Sequence, residues 1–154
     1  MTKLAAGNDA PGFELQDQGS HPVRLSDFTG SKLLVYFYPK ADTPGCTKQS
    51  CAVRDALDEL RSRGVAVVGI SPDPVSKQVK FDRKHSLGFP LLADPDHRAA
   101  EAFGVWDQKS MYGKVFMGIN RSAFLIDEDG KIIEAWYKVR PGDTVPNALS
   151  ALEA

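Results

Sequence analysis

Apolar residues run without a break from Leu33 to Tyr38 (LLVYFY) and again from Val65 to Ile70 (VAVVGI). Short unbroken apolar runs of this kind suit strands covered on both faces, as in a parallel sheet. Between them Val53, Leu57 and Leu60 recur at spacings of four and three. That is one helical face, so a helix is predicted over Thr47–Arg63, with Gly64 as its C-cap. Strand, helix, strand in that order implies a right-handed parallel crossover. Upstream, Phe13–Leu15 and Val23–Leu25 read as an extended pair around a turn at Asp17-Gln18-Gly19-Ser20. Downstream, a helix is predicted over Val75–His85, ended by the Gly88–Pro90 break, then a strand at Leu91–Ala93 and a helix over Arg98–Phe103. Gly104 to Asn120 shows no clear period and reads as irregular. Ser122–Ile126 and Lys131–Tyr137 form a hairpin around Glu128-Asp129-Gly130, and a last helix covers Val145–Leu152. The alternation of elements sets the class as α/β.

Composition narrows the picture. The 154 residues fit one domain, taken as 1–154, because no repeat, low-complexity tract or linker divides them. The formal net charge of −1, with no run of Lys and Arg, leaves no field to draw in nucleic acid or an anionic membrane. No stretch is apolar enough to span a bilayer, and the N-terminus, broken by Gly7, Pro11 and Gly12, lacks a signal-peptide core. The chain is therefore expected to stay where it is made, in the cytoplasm. Two cysteines are too few for a secreted disulfide scaffold, so their closeness in CTKQSC needs another reason.

That reason lies in YPKADTPGCTKQSC. A buried strand ends at Tyr38, a loop with Pro39, Pro44 and Gly45 follows, and Cys46 falls in the first turn of the next helix. Free N–H groups and the positive end of the helix dipole favour a thiolate there. The C-terminal ends of strands in open α/β sheets are also where ligands bind. Cys46 is thus placed as a nucleophile, with Cys51 close behind. Two roles stay open for Thr43: its hydroxyl caps the helix, or it faces the sulfur and holds a substrate oxygen.

The segment resembles the peroxiredoxin active-site pattern P-x-x-x-T-x-x-C, here Pro39, Thr43 and Cys46. It is closer still to the peroxiredoxin Q (bacterioferritin comigratory protein) subfamily, which looks like YFYPKxxTPGCTxxxC. The likeness extends through VGISPD (Val68–Asp73), FPLLAD (Phe89–Asp94), FGVW (Phe103–Trp106), Lys109–Gly118 and NRSAFLIDEDG (Asn120–Gly130). The resemblance implies a thioredoxin-like three-layer sandwich with a central mixed β-sheet and an N-terminal β-hairpin extension. It implies a thiol peroxidase acting on hydrogen peroxide or organic hydroperoxides, with Cys46 as the peroxidatic cysteine and Cys51 as the resolving one. Thr43 would bind the peroxide, Pro39 would shield the thiolate from water, and Arg121 matches the family's active-site arginine. A fixed positive charge there would hold the thiolate and the charge that spreads over the peroxide oxygens. Sulfenic acid would form on Cys46 and condense with the second thiol to a disulfide, reopened by thioredoxin or a similar dithiol. No metal, flavin or haem cofactor is implied, and the subfamily's habit is a monomer.

Rival readings are weaker. A CxxC disulfide exchanger needs two residues between its cysteines, not four. A zinc site lacks ligand spacing, since His21, His85 and His97 lie far from the cysteines and read as surface residues. A non-catalytic binding module needs no threonine and arginine gathered around a cysteine. Phe37, Phe89, Phe103 and Phe124 read as core. Trp106 and Met111, in the irregular stretch, are candidates for the wall of the site's entrance.

Overall fold

A computed structural model describes residues 3–153. Both apolar runs are strands: β3 (Lys32–Phe37) and β4 (Val65–Ser71) pair in parallel, Leu34 beside Val67 and Phe37 beside Ile70. Alternate residues of β3 go to opposite faces. Leu33, Val35 and Phe37 pack with Val68, Ile70, Phe103 and Phe124, whereas Leu34, Tyr36 and Tyr38 pack with Val53, Leu57, Leu60 and Phe81. Every one of these side chains is buried, so two apolar clusters grip one sheet between them.

The N-terminal pair is β1 (Glu14–Gln16) with β2 (Pro22–Arg24), antiparallel. The other strands of the main sheet are β5 (Leu91–Ala93), β8 (Ser122–Ile126) and β9 (Ile132–Trp136). The order is β2-β1-β5-β4-β3-β8-β9, with β5 parallel to β4, and β8 antiparallel to β3. This is a mixed sheet, as expected. The helices after β4 also fall where the pattern placed them: α3 (Val75–His85), α4 (Arg98–Ala102) and α5 (Thr144–Glu153).

Two expectations fail. The single helix over Thr47–Arg63 is two helices, α1 (Pro44–Asp55) and α2 (Leu57–Ser62), broken at Ala56 with φ −98° and ψ 2°. No Gly or Pro marks the break. The two pieces serve different partners, α1 packing on α5 and α2 on β4. The irregular stretch is a second, two-stranded sheet: β6 (Trp106–Met111) against β7 (Lys114–Ile119), antiparallel. Its two-residue turn, Tyr112-Gly113, has φ of 53° and 77°, the positive pair that lets a tight hairpin keep its right-handed twist. Most of its side chains are exposed, so the half-buried alternation that betrays a strand is missing.

Candidate active site

Cys46 enters from α1. Thr43 is extended at φ −97° and ψ 157°, and its carbonyl accepts the Thr47 N–H at 2.8 Å. Thr43 therefore holds the N-cap position, with Pro44 at the first helical position, where its ring is pre-set for a helix. Cys46 stands in the first turn, 1% exposed. Cys46, Gln49, Ser50 and Val53 are all buried, and their spacing of three, four and seven from Cys46 makes one helical face. Extending the Val53–Leu57–Leu60 stripe backwards would have found it, with the polar Gln49 and Ser50 as the signal of something other than core.

Arg121 comes from the far side of the sequence. On β8, Ser122 pairs with Phe37 of β3, so Arg121 lies beside Tyr38, where β3 hands over to the loop that carries Cys46. Its Nη1 and Nη2 each donate to Cys46 Sγ at 3.5 Å, and Nη1 also donates to Gln49 Oε1 at 2.7 Å. Among the described residues these are the hydrogen bonds that Sγ receives. Gln49 Nε2 in turn donates to Thr144 Oγ1 of α5 at 3.0 Å, so the guanidinium is braced by a fully buried side chain. Gly45 makes room: a Cβ there would meet Arg121 Nη2 at 3.0 Å and Pro141 Cγ at 3.4 Å.

The loop before Cys46 is held by its own contacts. The Ala41 N–H donates to buried Asp73 Oδ2 at 2.7 Å, which also accepts from Ser71 Oγ at 2.7 Å. Gln78 Nε2 donates to that same hydroxyl at 2.7 Å, and Gln78 Oε1 accepts from Tyr38. Asp42, at φ 61°, pairs with Lys84 at 3.0 Å and His85 at 3.2 Å. Asp73 and Gln78 carry no local signal in the sequence, because nothing local shows which polar residues a fold will bury, whereas Gln49 falls on the extended helical stripe.

Of the two roles open for Thr43, the side-chain cap is not made. Its hydroxyl makes no cap bond and instead donates to the Lys40 carbonyl at 2.8 Å. Pro39 and Thr43 are half-buried on either side of the loop. Cys51 is on α1 as well, partly buried, and both thiols are free. The histidines are not uniformly surface residues. His21 is exposed, but His85 is 18% exposed and tied to Asp42, while His97 stacks on Trp106 at 4.0 Å. Trp106 is thus occupied by an imidazole, and Met111 stands 58% exposed beside the hairpin turn. On the hairpin, Lys109 donates from Nζ to the Ile119 carbonyl at 2.7 Å. Burial, and then the Arg121 guanidinium, push its ammonium below the ordinary lysine range, while the Cys46 sulfur acts in the opposite direction.

Burial, and more weakly the two cysteine sulfurs, push the Tyr36 hydroxyl well above the ordinary range for tyrosine, although Ser50 bonds it at 2.8 Å. Burial likewise raises Tyr38. Both rings stay neutral beneath the site at any physiological pH. Gly69 leaves room for Tyr36, since a Cβ there would lie 2.8 Å from the ring.

Comparison with known proteins identifies the family and the fold. The AhpC/TSA family model matches residues 6–135. "Peroxiredoxin Bcp" of Escherichia coli K12 is 54% identical over 132 residues, 86% of this chain and 85% of that protein. The Bacillus subtilis protein of that name is 45% identical over 150 residues, covering 97% and 96%. A structure of the Xanthomonas campestris bacterioferritin comigratory protein, described for its alkyl peroxide reduction activity, superposes with a TM-score of 0.86 at 35% identity, over 92% of this chain and 90% of that one. A cysteine-to-serine mutant of PrxQ from Xylella fastidiosa reaches a TM-score of 0.92 at 32% identity, over 99% and 98%. With a thioredoxin-like fold shared across its length and two cysteines on one helix, the chain belongs to the AhpC/TSA family of peroxiredoxins and is a thiol peroxidase.

Proposed function

We propose that Cys46 is the peroxidatic cysteine and Cys51 the resolving cysteine of a peroxidase that reduces hydrogen peroxide and organic hydroperoxides. The observation that carries this reading is the pair of Arg121 N–H groups on Cys46 Sγ, at 3.5 Å each. A thiolate on a helix N-terminus, faced by a planar guanidinium, is both stabilised and aimed. Sulfur attacks the terminal oxygen of the hydroperoxide, the O–O bond breaks, and the departing oxygen takes a proton to leave as alcohol or water. Arg121 holds the charge that spreads over both oxygens. On substrate binding the Thr43 hydroxyl exchanges its 2.8 Å bond to the Lys40 carbonyl for one to the peroxide, and Pro39 keeps water from the thiolate.

Sulfenic acid on Cys46 is then attacked by the Cys51 thiolate, which expels hydroxide that leaves as water, and a disulfide forms. Thioredoxin or a similar dithiol reopens it by exchange. A reducing compartment such as the cytoplasm supplies such dithiols. Every named residue comes from the one domain of this chain, so a monomer is sufficient for the reaction. The alkyl peroxide reduction described for the X. campestris relative supports organic hydroperoxides as substrates.

Consumption of peroxide by the purified protein, with thioredoxin as reductant, tests the reading. Cys46→Ser is expected to abolish turnover, because a hydroxyl is a far weaker nucleophile at neutral pH. A variant that kept the normal rate would overturn the assignment.

A further inference from the structure

We propose that Lys109 is a second cation of the Cys46 site and sets a preference for negatively charged hydroperoxides over neutral ones. The proposal rests on Cys46 being the peroxidatic cysteine. Lys109 is delivered by the hairpin that the sequence pattern did not reveal. Pairing across it sets Lys109 opposite Phe116 and Asp107 opposite Gly118, so these positions share one face of the small sheet. Gly118 has no side chain, and the lysine stem lies across it: a Cβ at Gly118 would meet Lys109 Cδ at 3.0 Å. The ammonium then ends on the Ile119 carbonyl at 2.7 Å. Ile119 is two residues before Arg121, whose guanidinium bonds Sγ.

Two features separate Lys109 from an ordinary surface lysine. It is half-buried on a hairpin whose other side chains are mostly exposed. Its ammonium is anchored on a backbone carbonyl, and among the described residues no carboxylate neutralises it. An ammonium carries three donors, and a single bond to Ile119 leaves donors for a ligand. The response of its titration to both Arg121 and the Cys46 sulfur agrees with their closeness.

The chemistry at sulfur is unchanged. Sulfur forms its bond to the terminal oxygen, O–O breaks, sulfur is oxidised to sulfenic acid, and the hydroperoxide is reduced to an alcohol whose proton comes from solvent. Lys109 takes no part in these bonds. It attracts the carboxylate of an organic hydroperoxide that carries one, and gives hydrogen peroxide little, because a point charge acts on net charge far more than on a small neutral molecule.

Charged and neutral probes separate this role from a structural one. Iodoacetate and iodoacetamide alkylate the same thiol and differ in charge, and the adduct on Cys46 is followed by peptide mass spectrometry on the reduced, full-length protein. Lys109→Gln and Lys109→Met are expected to lower the iodoacetate-to-iodoacetamide rate ratio by about threefold to tenfold, as removal of one nearby partly buried charge predicts. The methionine keeps an unbranched stem over Gly118, so one neutral variant remains if the other fails to fold. Lys109→Arg should hold the ratio, Lys114→Gln at the exposed end of the hairpin should leave it unchanged, and added salt should shrink the wild-type ratio. The second-order rate for a carboxylate-bearing alkyl hydroperoxide, relative to tert-butyl hydroperoxide, should fall in parallel. An unchanged alkylation ratio in the neutral variants, or an equal drop in Lys114→Gln, overturns the proposal. A shifted alkylation ratio in a protein that reduces no peroxide would overturn the peroxidase assignment of Cys46 and leave the cation site standing.

Discussion

A disulfide between Cys46 and Cys51, as proposed, requires α1 to open, and the geometry sets by how much. Cys46 and Cys51 lie on one helix that begins at Pro44. Five residues of ideal helix give about 7.5 Å of rise and about 140° of rotation, which separates their Cα atoms by roughly 8–9 Å. A disulfide does not form beyond about 7 Å without backbone movement. Opening breaks the Thr47 to Thr43 backbone bond at 2.8 Å and three side-chain bonds, two of them buried, namely Gln49 to Thr144 at 3.0 Å and Tyr36 with Ser50 at 2.8 Å, and one part-buried, Arg121 to Gln49 at 2.7 Å. With net values for neutral and charged hydrogen bonds, the side-chain part alone is about 3–6 kcal/mol. Hydrogen exchange reads that number directly, because local opening free energy sets protection. In the reduced protein, Thr47 to Arg54 should be slowed by about 10²–10⁴-fold beyond an open helix, the exchange equivalent of that energy. In the disulfide form that protection should vanish, while Leu33–Phe37 and Val65–Ser71 stay protected. Arg54 marks the limit, because its Nη1 is anchored on the His85 carbonyl of α3 at 2.7 Å. Equal protection of this segment in both forms, with the intramolecular disulfide confirmed by mass spectrometry, would refute the reasoning.

Other perturbations probe single contacts. Arg121→Ala should leave the protein folded but slow reduction of peroxide by about 10²–10³-fold, the scale of a lost transition-state donor. Arg121→Lys should restore only part, since a point charge cannot reproduce the two-pronged contact, and stopped-flow rates of Cys46 oxidation decide between them. Gly45→Ala should push the guanidinium off Sγ, given the 3.0 Å approach of a Cβ to Nη2; a several-fold slower oxidation with a near-unchanged melting temperature is expected, and a normal rate would show that Arg121 yields freely. In alkali the protein should lose stability. Tyr36 and Tyr38 are fully buried and held protonated in the fold above their ordinary value of 10.0. The unfolded chain therefore binds fewer protons above about pH 10, and their stabilisation, complete below that pH, falls by about 3 kcal/mol per pH unit. Urea unfolding across that range measures the slope, and Tyr36→Phe should roughly halve the tyrosine contribution.

Some of this protein was readable along the chain. LLVYFY and VAVVGI became β3 and β4, and the α3 pattern became a helix with the same limits. The strand, the Pro- and Gly-bearing loop and the helix start around Cys46 are all local, so its place in a helix first turn was visible from position alone. A break at Ala56 and the β6–β7 hairpin were not. The first depends on two helices meeting different partners, and the second is a hairpin too exposed to alternate, although Tyr112-Gly113 was a turn signal.

The sequence by itself determined most strands and helices and the place of the Cys46 thiol on a helix start, because periodicity, caps and turns act over a few neighbouring residues. Only the tertiary structure decided what surrounds that thiol. Arg121 reaches Cys46 across 75 residues and Gln49 across 72, and Lys109 folds back along its hairpin to the Ile119 carbonyl. Those meetings depend on strand register and on which face each helix turns inward. A shift of β8 by one residue against β3 would turn its side chains to the other face of the sheet and take Arg121 away from the sulfur.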